Sequence, residues 1–197
     1  MDKFHLETPS LERKLDIIDY LDEFRKYKSD LNGFGMLARI STEFSFEEAL
    51  EQCLKMVDGD YSWTHGRCPN KVFLLIRECD NRIVGNVQVR WDVTDEMLQF
   101  TGHIGYSIRP TERRKGYNKI NLYLGLIEAK KLGLDSCVIS CEASNIGSDK
   151  TMQTLGGRLL RNEVDPSDGV LTKVYSFDVD GVLDKYADTY STLVSSD

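Results

Sequence analysis

The sequence predicts a mixed α/β fold, in which a largely antiparallel sheet is flanked by helices. Residues 72–76 form an apolar run, Asp80 and Asn81 mark a turn, and residues 83–91 alternate in polarity. This pattern is typical of an antiparallel hairpin. The stretch 103–141 then reads as strand, helix and strand, which predicts a parallel crossover. The expected sheet is therefore mostly antiparallel and contains a central parallel pair.

Two helices are predicted before the sheet. Thr8 can cap a helix whose first residue is Pro9, and Ser45 with Glu48 forms a capping-box pattern before a second apolar stripe. The loop at residues 29–42 joins the two helices and either covers a substrate cleft or simply packs on the core. The apolar residues at helical spacing in the first helix are Leu11, Leu15, Ile18 and Leu21.

The C-terminal third continues the α/β pattern. Residues 148–154 predict a short helix that Gly156 and Gly157 end, and two strands are predicted at 158–162 and 173–179. Residues 181–197 carry Leu183, Tyr186 and Tyr190 at helical spacing. The sequence leaves this segment open between a docked helix and a frayed tail.

Composition limits the classes of function. The chain has 197 residues, 41% of them hydrophobic and 29% charged, which fits a packed globular protein. It has no apolar stretch near the ~20 residues that span a bilayer, and its N-terminus does not resemble a signal peptide. We therefore expect a cytoplasmic protein. A net charge of −7 argues against a nucleic-acid partner, which would need a broad basic face.

The five cysteines indicate reduced thiols rather than a disulfide framework or a zinc site. Their number is odd and they contain no Cys-x-x-Cys pair. Cys137 and Cys141 are four residues apart in a predicted strand, so they should share a face as small buried side chains. A catalytic thiol is unsupported, because no partner histidine can be identified.

The most informative segment is IRPTERRKGYN at residues 108–118, between a predicted strand and a predicted helix. Gly116 stands among basic residues at the helix entrance, where outward N–H groups and the helix dipole favour an anion. The segment indicates a phosphate-bearing ligand, with a solvated basic turn as the alternative. The sequence contains neither a P-loop motif nor a dinucleotide-binding Gly-x-Gly-x-x-Gly.

Three features together resemble the GNAT superfamily of acyl-CoA N-acyltransferases. The phosphate loop reads RRKGYN at residues 113–118, after the apolar-x-Pro step at 108–110. Asn145 follows the next predicted strand, with Ser148 three residues later, and the glycines at 156–157 close a short helix. The segments around the loop look closest to predicted bacterial acetyltransferases whose substrates are not assigned.

The resemblance implies a single acetyltransferase domain over residues 1–197. The core match covers 71–179, residues 1–70 supply N-terminal helices and a substrate-side loop, and 180–197 form an extension. Sheets of this family splay at the central parallel pair to admit the pantetheine arm of CoA. Acetyl-CoA would be the co-substrate, and no metal is implied.

The resemblance also implies a role for each residue of the site. Backbone amides of residues 113–118 would hold the CoA pyrophosphate, and Ile108 would pair its backbone with the pantetheine amides. Asn145 would bind CoA or the neighbouring backbone, and Ser148 would lie near the thioester sulfur or cap the next helix. The implied cofactor-binding residues are Ile108, Arg113, Arg114, Lys115, Gly116, Tyr117, Asn118, Asn145 and Ser148.

The chain departs from the family pattern at three positions. Asn118 stands where the loop usually has Gly or Ala, Met152 replaces a Tyr acid of many relatives, and Gly102 replaces a carboxylate base of some. His103 and Glu142 are the candidate bases, although strand ends often carry such residues for structural reasons. A base is needed because deprotonating an amine of pKa ~10.4 at pH 7 costs about 4.6 kcal/mol.

The resulting prediction is an N-acetyltransferase that moves the acetyl group of acetyl-CoA to a primary amine by direct attack. The acceptor would be a small molecule or a protein amine, and no membrane partner is expected. The departures leave an alternative, a CoA-binding sensor or interaction module with little turnover. Many relatives dimerise, and the sequence leaves open whether this chain forms a homodimer.

Overall fold

The computed structural model describes residues 2–194, which form two antiparallel sheets. The first sheet has the order β1 (Phe4–Glu7), β2 (Asn70–Arg77), β3 (Arg82–Arg90) and β4 (Ile104–Ile108). The second has the order β5 (Ser136–Glu142), β7 (Leu171–Asp178) and β6 (Arg158–Val164). Each strand runs antiparallel to its hydrogen-bonded neighbours.

Helices cover both faces of the first sheet. Those before β2 are α1 (Lys14–Lys26), α2 (Phe46–Lys55) and α3 (Gly59–Thr64). Those that follow are α4 (Met97–Phe100), α5 (Tyr117–Lys131), α6 (Ile146–Thr154) and α7 (Val179–Tyr190). Short 3₁₀ turns occupy Gly35–Arg39 and Pro110–Glu112. None of the described helices combines the length and apolar character needed to cross a membrane.

The continuous apolar run in β2 reflects burial on both faces. Phe73 and Leu75 pack with the residues of α5, whereas Leu74 and Ile76 pack with those of α1 and α2. Because successive side chains of a strand point to opposite faces, a strand covered on both sides carries no polar alternation. The predicted hairpin of β2 and β3 is confirmed by this pairing.

The strands β4 and β5 lie at facing edges of the two sheets but do not form a ladder. Gly102 makes an isolated bridge with Ile139, and the N–H of His103 donates to the carbonyl of Val138 at 2.6 Å. Beyond these contacts the edge of β4 turned toward β5 is not paired within residues 2–194. The predicted parallel pairing is therefore not confirmed by the hydrogen bonds, and a cleft lies between the two edges instead.

The N-terminal prediction is wrong in two respects. β1 was not expected, and α1 begins at Lys14 rather than at Pro9. Leu11 and Leu15 are 58% and 80% exposed, because α1 packs through a different stripe. Pairing of β1 with the edge of β2 takes up the segment before Pro9, so local capping signals do not decide where the helix starts. The buried stripe of α1 is Ile17, Tyr20, Leu21 and Phe24.

The predicted cap of the second helix is confirmed. The hydroxyl of Ser45 accepts from the N–H of Glu48, while the carboxylate of Glu48 accepts from the N–H of Ser45. At the other end of the chain, α7 docks on α5, with the rings of Tyr123 and Tyr190 4.6 Å apart. The helix alternative therefore holds for residues 179–190, and the prediction for 195–197 lies outside the described residues.

Candidate active site

A cleft of about 1090 Å³ opens between β4 and β5. Residues 29–33 and the start of α5 form one wall, and β5 with α6 forms the other. Lys115 and His103 are predicted site residues that do not line it. The predicted residues that do line it are Ile108, Arg113, Arg114, Gly116, Tyr117, Asn118, Glu142, Asn145 and Ser148.

The loop before α5 presents a row of backbone N–H groups. Arg114 and Gly116 adopt the left-handed conformation, with φ of 64° and 86°. Alternation of ordinary and left-handed residues turns successive N–H groups toward one side and forms an anion-binding concavity. Within residues 2–194, the N–H groups of residues 114–118 donate to no protein acceptor. The site therefore offers five free donors at the positive end of a helix dipole.

The basic side chains of this run have different surroundings. Arg113 donates to Ser29 Oγ at 2.7 Å and to the Ile108 carbonyl at 3.1 Å, which anchors the loop to the wall of the cleft. Lys115 is 2.7 Å from Glu112, a buried carboxylate. Arg114 is exposed and faces the cleft. Lys115 is thus turned toward an internal ion pair, while Arg114 is open to a ligand.

Arg109 belongs to the same basic cluster but is structural. Its side chain is 1% exposed, and its guanidinium contacts Asp19 at 2.8 Å and Glu23 at 3.0 Å. It also donates to the carbonyl of Ile83 and lies over the ring of Tyr20. This arginine holds α1 against the sheet and has no path to a ligand.

Asn118 does not occupy an unusual backbone conformation. It is the second residue of α5, and the left-handed residues of the loop are Arg114 and Gly116 instead. Its side-chain amide donates to Thr151 Oγ1 at 3.0 Å, which ties the start of α5 to α6. Asn118 therefore fits where the family usually has Gly or Ala, because its side chain links α5 to α6 and both helices border the cleft.

The edge of β4 that faces the cleft carries free main-chain groups. Arg90 N donates to the His103 carbonyl and Arg109 N donates to the Val84 carbonyl, so every second residue of β4 pairs with β3. The intervening residues, which include Tyr106 and Ile108, turn their N–H and C=O groups toward β5, and of these groups the Ile108 carbonyl already accepts from Arg113. An extended chain could add to this edge as a further strand.

Two hydroxyls meet across the cleft. Tyr106 Oη on β4 and Ser148 Oγ on α6 are 2.7 Å apart. Burial raises the pKa of the Tyr106 phenol above its ordinary value, so the phenol stays protonated and is a hydrogen-bond donor at neutral pH. Ser148 is the third residue of α6, and the capping residue of that helix is Asn145. The capping alternative for Ser148 is therefore wrong, because its hydroxyl points into the cleft.

Cys141 stands beside this pair on β5 and also lines the cleft. Burial raises the pKa of its thiol to about 11, so it is a neutral thiol at pH 7. Cys137, on the same face, is fully buried, as predicted. The prediction for Cys141 is only partly right, because its side chain is half-buried and lines the cleft.

Asn145 organises the start of α6. Its side-chain oxygen accepts from the N–H of Ser148 at 3.1 Å, which is the geometry of an N-cap. This supports the second of the two roles expected for Asn145, a hold on the neighbouring backbone. The cap fixes the first turn of α6 and with it the position of the Ser148 hydroxyl.

We expect Asn145→Ala to lower the free energy of unfolding by about 1 kcal/mol, because the helix loses its capping acceptor. Asn145→Asp keeps an acceptor and should stay near the wild-type value. Urea denaturation followed by circular dichroism measures both. Asn162→Ala on exposed β6 is the control, and a wild-type stability for Asn145→Ala would contradict the assignment.

His103 is engaged by the backbone of β5. Its Nδ1 accepts from the N–H of Val138 at 2.9 Å, so in the neutral ring the proton sits on Nε2. Burial lowers the pKa of His103 below its ordinary value. With one nitrogen occupied as an acceptor and the other already protonated, this ring is poorly placed to take a proton from a substrate.

The lowered pKa of His103 predicts a pH-dependent stability. The unfolded chain binds a proton near pH 6.5, whereas the folded chain binds it only at lower pH, so stability falls as the pH drops below about 6.5. We expect His103→Gln, which keeps an acceptor for Val138 N–H, to lose less stability between pH 7 and pH 5 than the wild type. Urea denaturation at both pH values tests this, with exposed His65→Gln as the control. Equal losses in wild type and His103→Gln would refute it.

Glu142 ends β5 and is exposed at the cleft. Its carboxylate accepts from Ser144 Oγ at 3.1 Å. Of the two predicted bases, Glu142 therefore has access to the cleft. In the described part of the chain, no group of three or more His, Cys, Asp or Glu side chains could hold a metal ion.

Sequence reasoning did not identify several residues of the cleft. Tyr106 lies in a recognisable strand, but no local pattern shows that its hydroxyl meets a serine 42 residues later. Exposed Lys119 and Lys150 add positive charge near the loop, and helical spacing from Gly116 could have indicated Lys119. Arg90, the last residue of β3 and the partner of His103 just before β4, was also not predicted.

A family model described as an acetyltransferase (GNAT) domain matches residues 20–158 of the chain. The chain belongs to the GNAT acetyltransferase family. The expected family is therefore confirmed, and its model describes an acetyltransferase domain.

Solved structures show the same GNAT fold. The ribosomal-protein-S5-alanine acetyltransferase from Vibrio fischeri matches with a TM-score of 0.64 and 16% identity, over 91% of this chain and 95% of that chain. The spermidine/spermine N-acetyltransferase SpeG from Vibrio cholerae, in mutant forms, matches with a TM-score of 0.64 and 12% identity, over 93% and 98%. The microcin C7 self-immunity acetyltransferase MccE, in complex with acetyl-CoA and AMP, matches with a TM-score of 0.60 and 17% identity, over 90% and 93%.

A curated relative matches a shorter stretch. A family protein called CutC from Enterococcus faecalis is 38% identical over 73 residues, which cover 34% of this GNAT chain and 35% of that protein. The chain thus matches about a third of the length of this relative.

Proposed function

We propose that this GNAT protein transfers the acetyl group of acetyl-CoA to a primary amine by direct attack. The observation that carries the proposal is the row of free N–H groups at residues 114–118, in a loop from which Arg114, Gly116, Tyr117 and Asn118 line the cleft beside the unpaired edge of β4. N–H donors for an anion, the open edge of β4 and the hydroxyl pair of Tyr106 and Ser148 then follow one another along the cleft. The order suits the phosphates, the pantetheine arm and the thioester of one extended molecule.

The N–H groups of residues 114–118 would bind the pyrophosphate of CoA. The concavity and the helix dipole favour a negative group there, and Arg114 and Lys119 bring further positive charge. Arg113 is anchored to Ser29 and Ile108, so we assign it to the shape of the loop rather than to the ligand.

The pantetheine arm would add to the cleft edge of β4. Its amides would pair with the main chain of Tyr106 and with the N–H of Ile108, since the carbonyl of Ile108 already accepts from Arg113. This route carries the thioester toward the hydroxyls of Tyr106 and Ser148.

We assign the hydroxyl pair to the departing sulfur. When the amine nitrogen attacks the carbonyl carbon, the C–S bond breaks and negative charge develops on sulfur. A CoA thiol has a pKa near ~8.5, below that of the Tyr106 phenol, so the pair would stabilise the thiolate by hydrogen bonds rather than give up a proton. Met152, which stands at the usual Tyr position, is fully buried and cannot take this part.

The amine must lose a proton for attack, and we assign its removal to Glu142. This carboxylate has access to the cleft, whereas His103 is held by β5 with Nδ1 occupied. The solved neighbours acetylate a ribosomal-protein alanine or spermidine and spermine, which supports an amine acceptor of either size.

Titration calorimetry with acetyl-CoA, followed by a free-thiol assay across an amine library, tests the proposal. We expect binding of acetyl-CoA and release of CoA thiol that depends on an amine. Lack of acetyl-CoA binding would refute the proposed site. Binding without thiol release across the library would instead favour the CoA-binding sensor, which the occupied His103 and the buried Met152 motivate.

A further inference from the structure

Arg90 is a half-buried guanidinium on the cleft wall that has no carboxylate partner among residues 2–194. Its hydrogen bonds go to Gln88 Oε1 at 2.8 Å and, over a long 3.5 Å, to the carbonyl of Gly102. The ionisable neighbours that affect it are Arg67, which is a second cation, and the Cys68 thiol, whose pKa is raised by burial so that it stays neutral at pH 7 and does not compensate the charge. A cation removed from water without a counter-charge is costly, so this position would gain from an anion in the cleft.

Buried neighbours hold Arg90 in place. Gln88 donates to Asn70 Oδ1 at 2.6 Å, and Asn70 donates to the carbonyl of Cys68 at 3.0 Å. Gln88 and Asn70 are each 5% exposed. Since both polar ends of Gln88 are used, the guanidinium is oriented by a fixed hydrogen-bond chain rather than free on the surface.

The position of Arg90 excludes a role with the phosphates of CoA. Arg90 pairs with His103 before β4, whereas the free N–H groups begin after Ile108, at the other end of the strand. The guanidinium itself reaches Gly105, and three residue steps at about 3.3 Å separate Gly105 from Ile108 by roughly 10 Å. Arg90 therefore lies toward the part of the cleft that the thioester, not the pyrophosphate, would reach.

Arg90 also lies on the face of the sheet that the loop at residues 29–33 covers. A Cβ on Gly105 would be 3.3 Å from Arg90 Nη2 and 3.1 Å from Gly33, so the guanidinium shares this face with the loop at residues 29–33. Tyr106 follows Gly105 and points to the opposite face, where it meets Ser148. The cation and the hydroxyl pair thus approach the cleft from opposite faces of β4.

We propose that Arg90 binds a carboxylate of the acceptor, so that the substrate is a small amine with a nearby carboxylate, such as an α-amino acid. This inference rests on the proposed function, because it places a group of the second substrate of the same reaction. A guanidinium forms two parallel hydrogen bonds with a carboxylate. Adjacent Gly105 and Tyr106 would keep that carboxylate close to the reacting amine.

The test compares amino acids with their decarboxylated amines. The full chain, saturated with acetyl-CoA, is assayed for thiol release with the twenty standard amino acids and with the decarboxylated counterpart of each one acetylated. We expect at least one amino acid to exceed its counterpart in kcat/KM by about 30-fold or more. Arg90→Gln should remove that preference by raising KM, while Arg158→Gln, an exposed arginine of β6 outside the cleft, should retain it. Acetylation of simple amines without such a preference would overturn the proposal and leave the proposed function intact.

A binding measurement tests the proposed carboxylate site at Arg90 even if no thiol is released. N-acetyl amino acids, as stand-ins for the product, should raise the melting temperature of the wild type and of Arg158→Gln but not of Arg90→Gln. If none of the twenty N-acetyl amino acids distinguishes wild type from Arg90→Gln, the carboxylate site is refuted. Loss of acetyl-CoA binding itself would be a separate failure of the proposed function.

Discussion

Gly116→Val is expected to weaken acetyl-CoA binding by about 5- to 150-fold. Gly116 has a φ of 86°, a conformation in which a β-branched residue costs about 1–3 kcal/mol. The variant can relieve this strain by moving the loop away from its left-handed turn, which would scatter the N–H groups of residues 114–118. Binding then has to restore the strained loop, so the strain is subtracted from the binding free energy. Titration calorimetry with acetyl-CoA measures the change.

Gly133→Val is the matched control for this prediction. Gly133 lies just after the last turn of α5, has a φ of 84°, and like Gly116 would place its added Cβ more than 4 Å from other atoms. An added Cβ meets no other atom at either position, so both variants should fold. Affinity for acetyl-CoA should fall only for Gly116→Val. Equal affinity in the two variants would show that the loop conformation does not build the phosphate site.

Loss of either cleft hydroxyl should lower kcat by about 100-fold with little change in the affinity for acetyl-CoA. In Tyr106→Phe and Ser148→Ala the hydrogen bond at 2.7 Å is gone, and the developing thiolate loses donated hydrogen bonds in a site shielded from water. Because the two hydroxyls act as a pair, the double variant should be little worse than the poorer single variant. Steady-state kinetics by thiol release gives these values.

Tyr123→Phe is the control for the tyrosine variant. Its hydroxyl is also removed from a buried ring, but it contacts the carbonyl of Leu183 on the far side of α5 and does not border the cleft. A similar fall in kcat for Tyr123→Phe would mean that the Tyr106 effect is structural. Fully additive losses in the double variant would refute the paired role.

Much of the order of the strands and helices was predictable, because it depends on the spacing of apolar side chains over short stretches of the chain. The apolar run of β2, the helix from Tyr117 and the helix stop at Gly133 follow from side-chain spacing and from backbone conformations that glycine favours. The start of α1 was not predictable, because pairing of β1 with β2 fixes where the chain turns toward the helix. Which stripe of α1 is buried depends on the same packing.

The chemistry of the site divides in a similar way. The phosphate loop was readable because its glycine, its basic residues and the following helix are contiguous. The basic residues themselves were not distinguishable, since Arg109 and Lys115 are neutralised by carboxylates of other segments. The sequence of a short basic run shows how many cationic side chains are present, but it does not show which of them face solvent.

The sequence by itself determined the family, the order of the elements from β2 to β7 apart from the short α4, and the place of the phosphate loop, because each depends on residues close together in the chain. The tertiary structure decided that β4 and β5 face each other across a cleft and that Asn118 joins two helices. It also decided that Tyr106 meets Ser148 and that Arg90 is left without a carboxylate among the described residues. These features depend on contacts between segments tens of residues apart, which no local period or motif encodes.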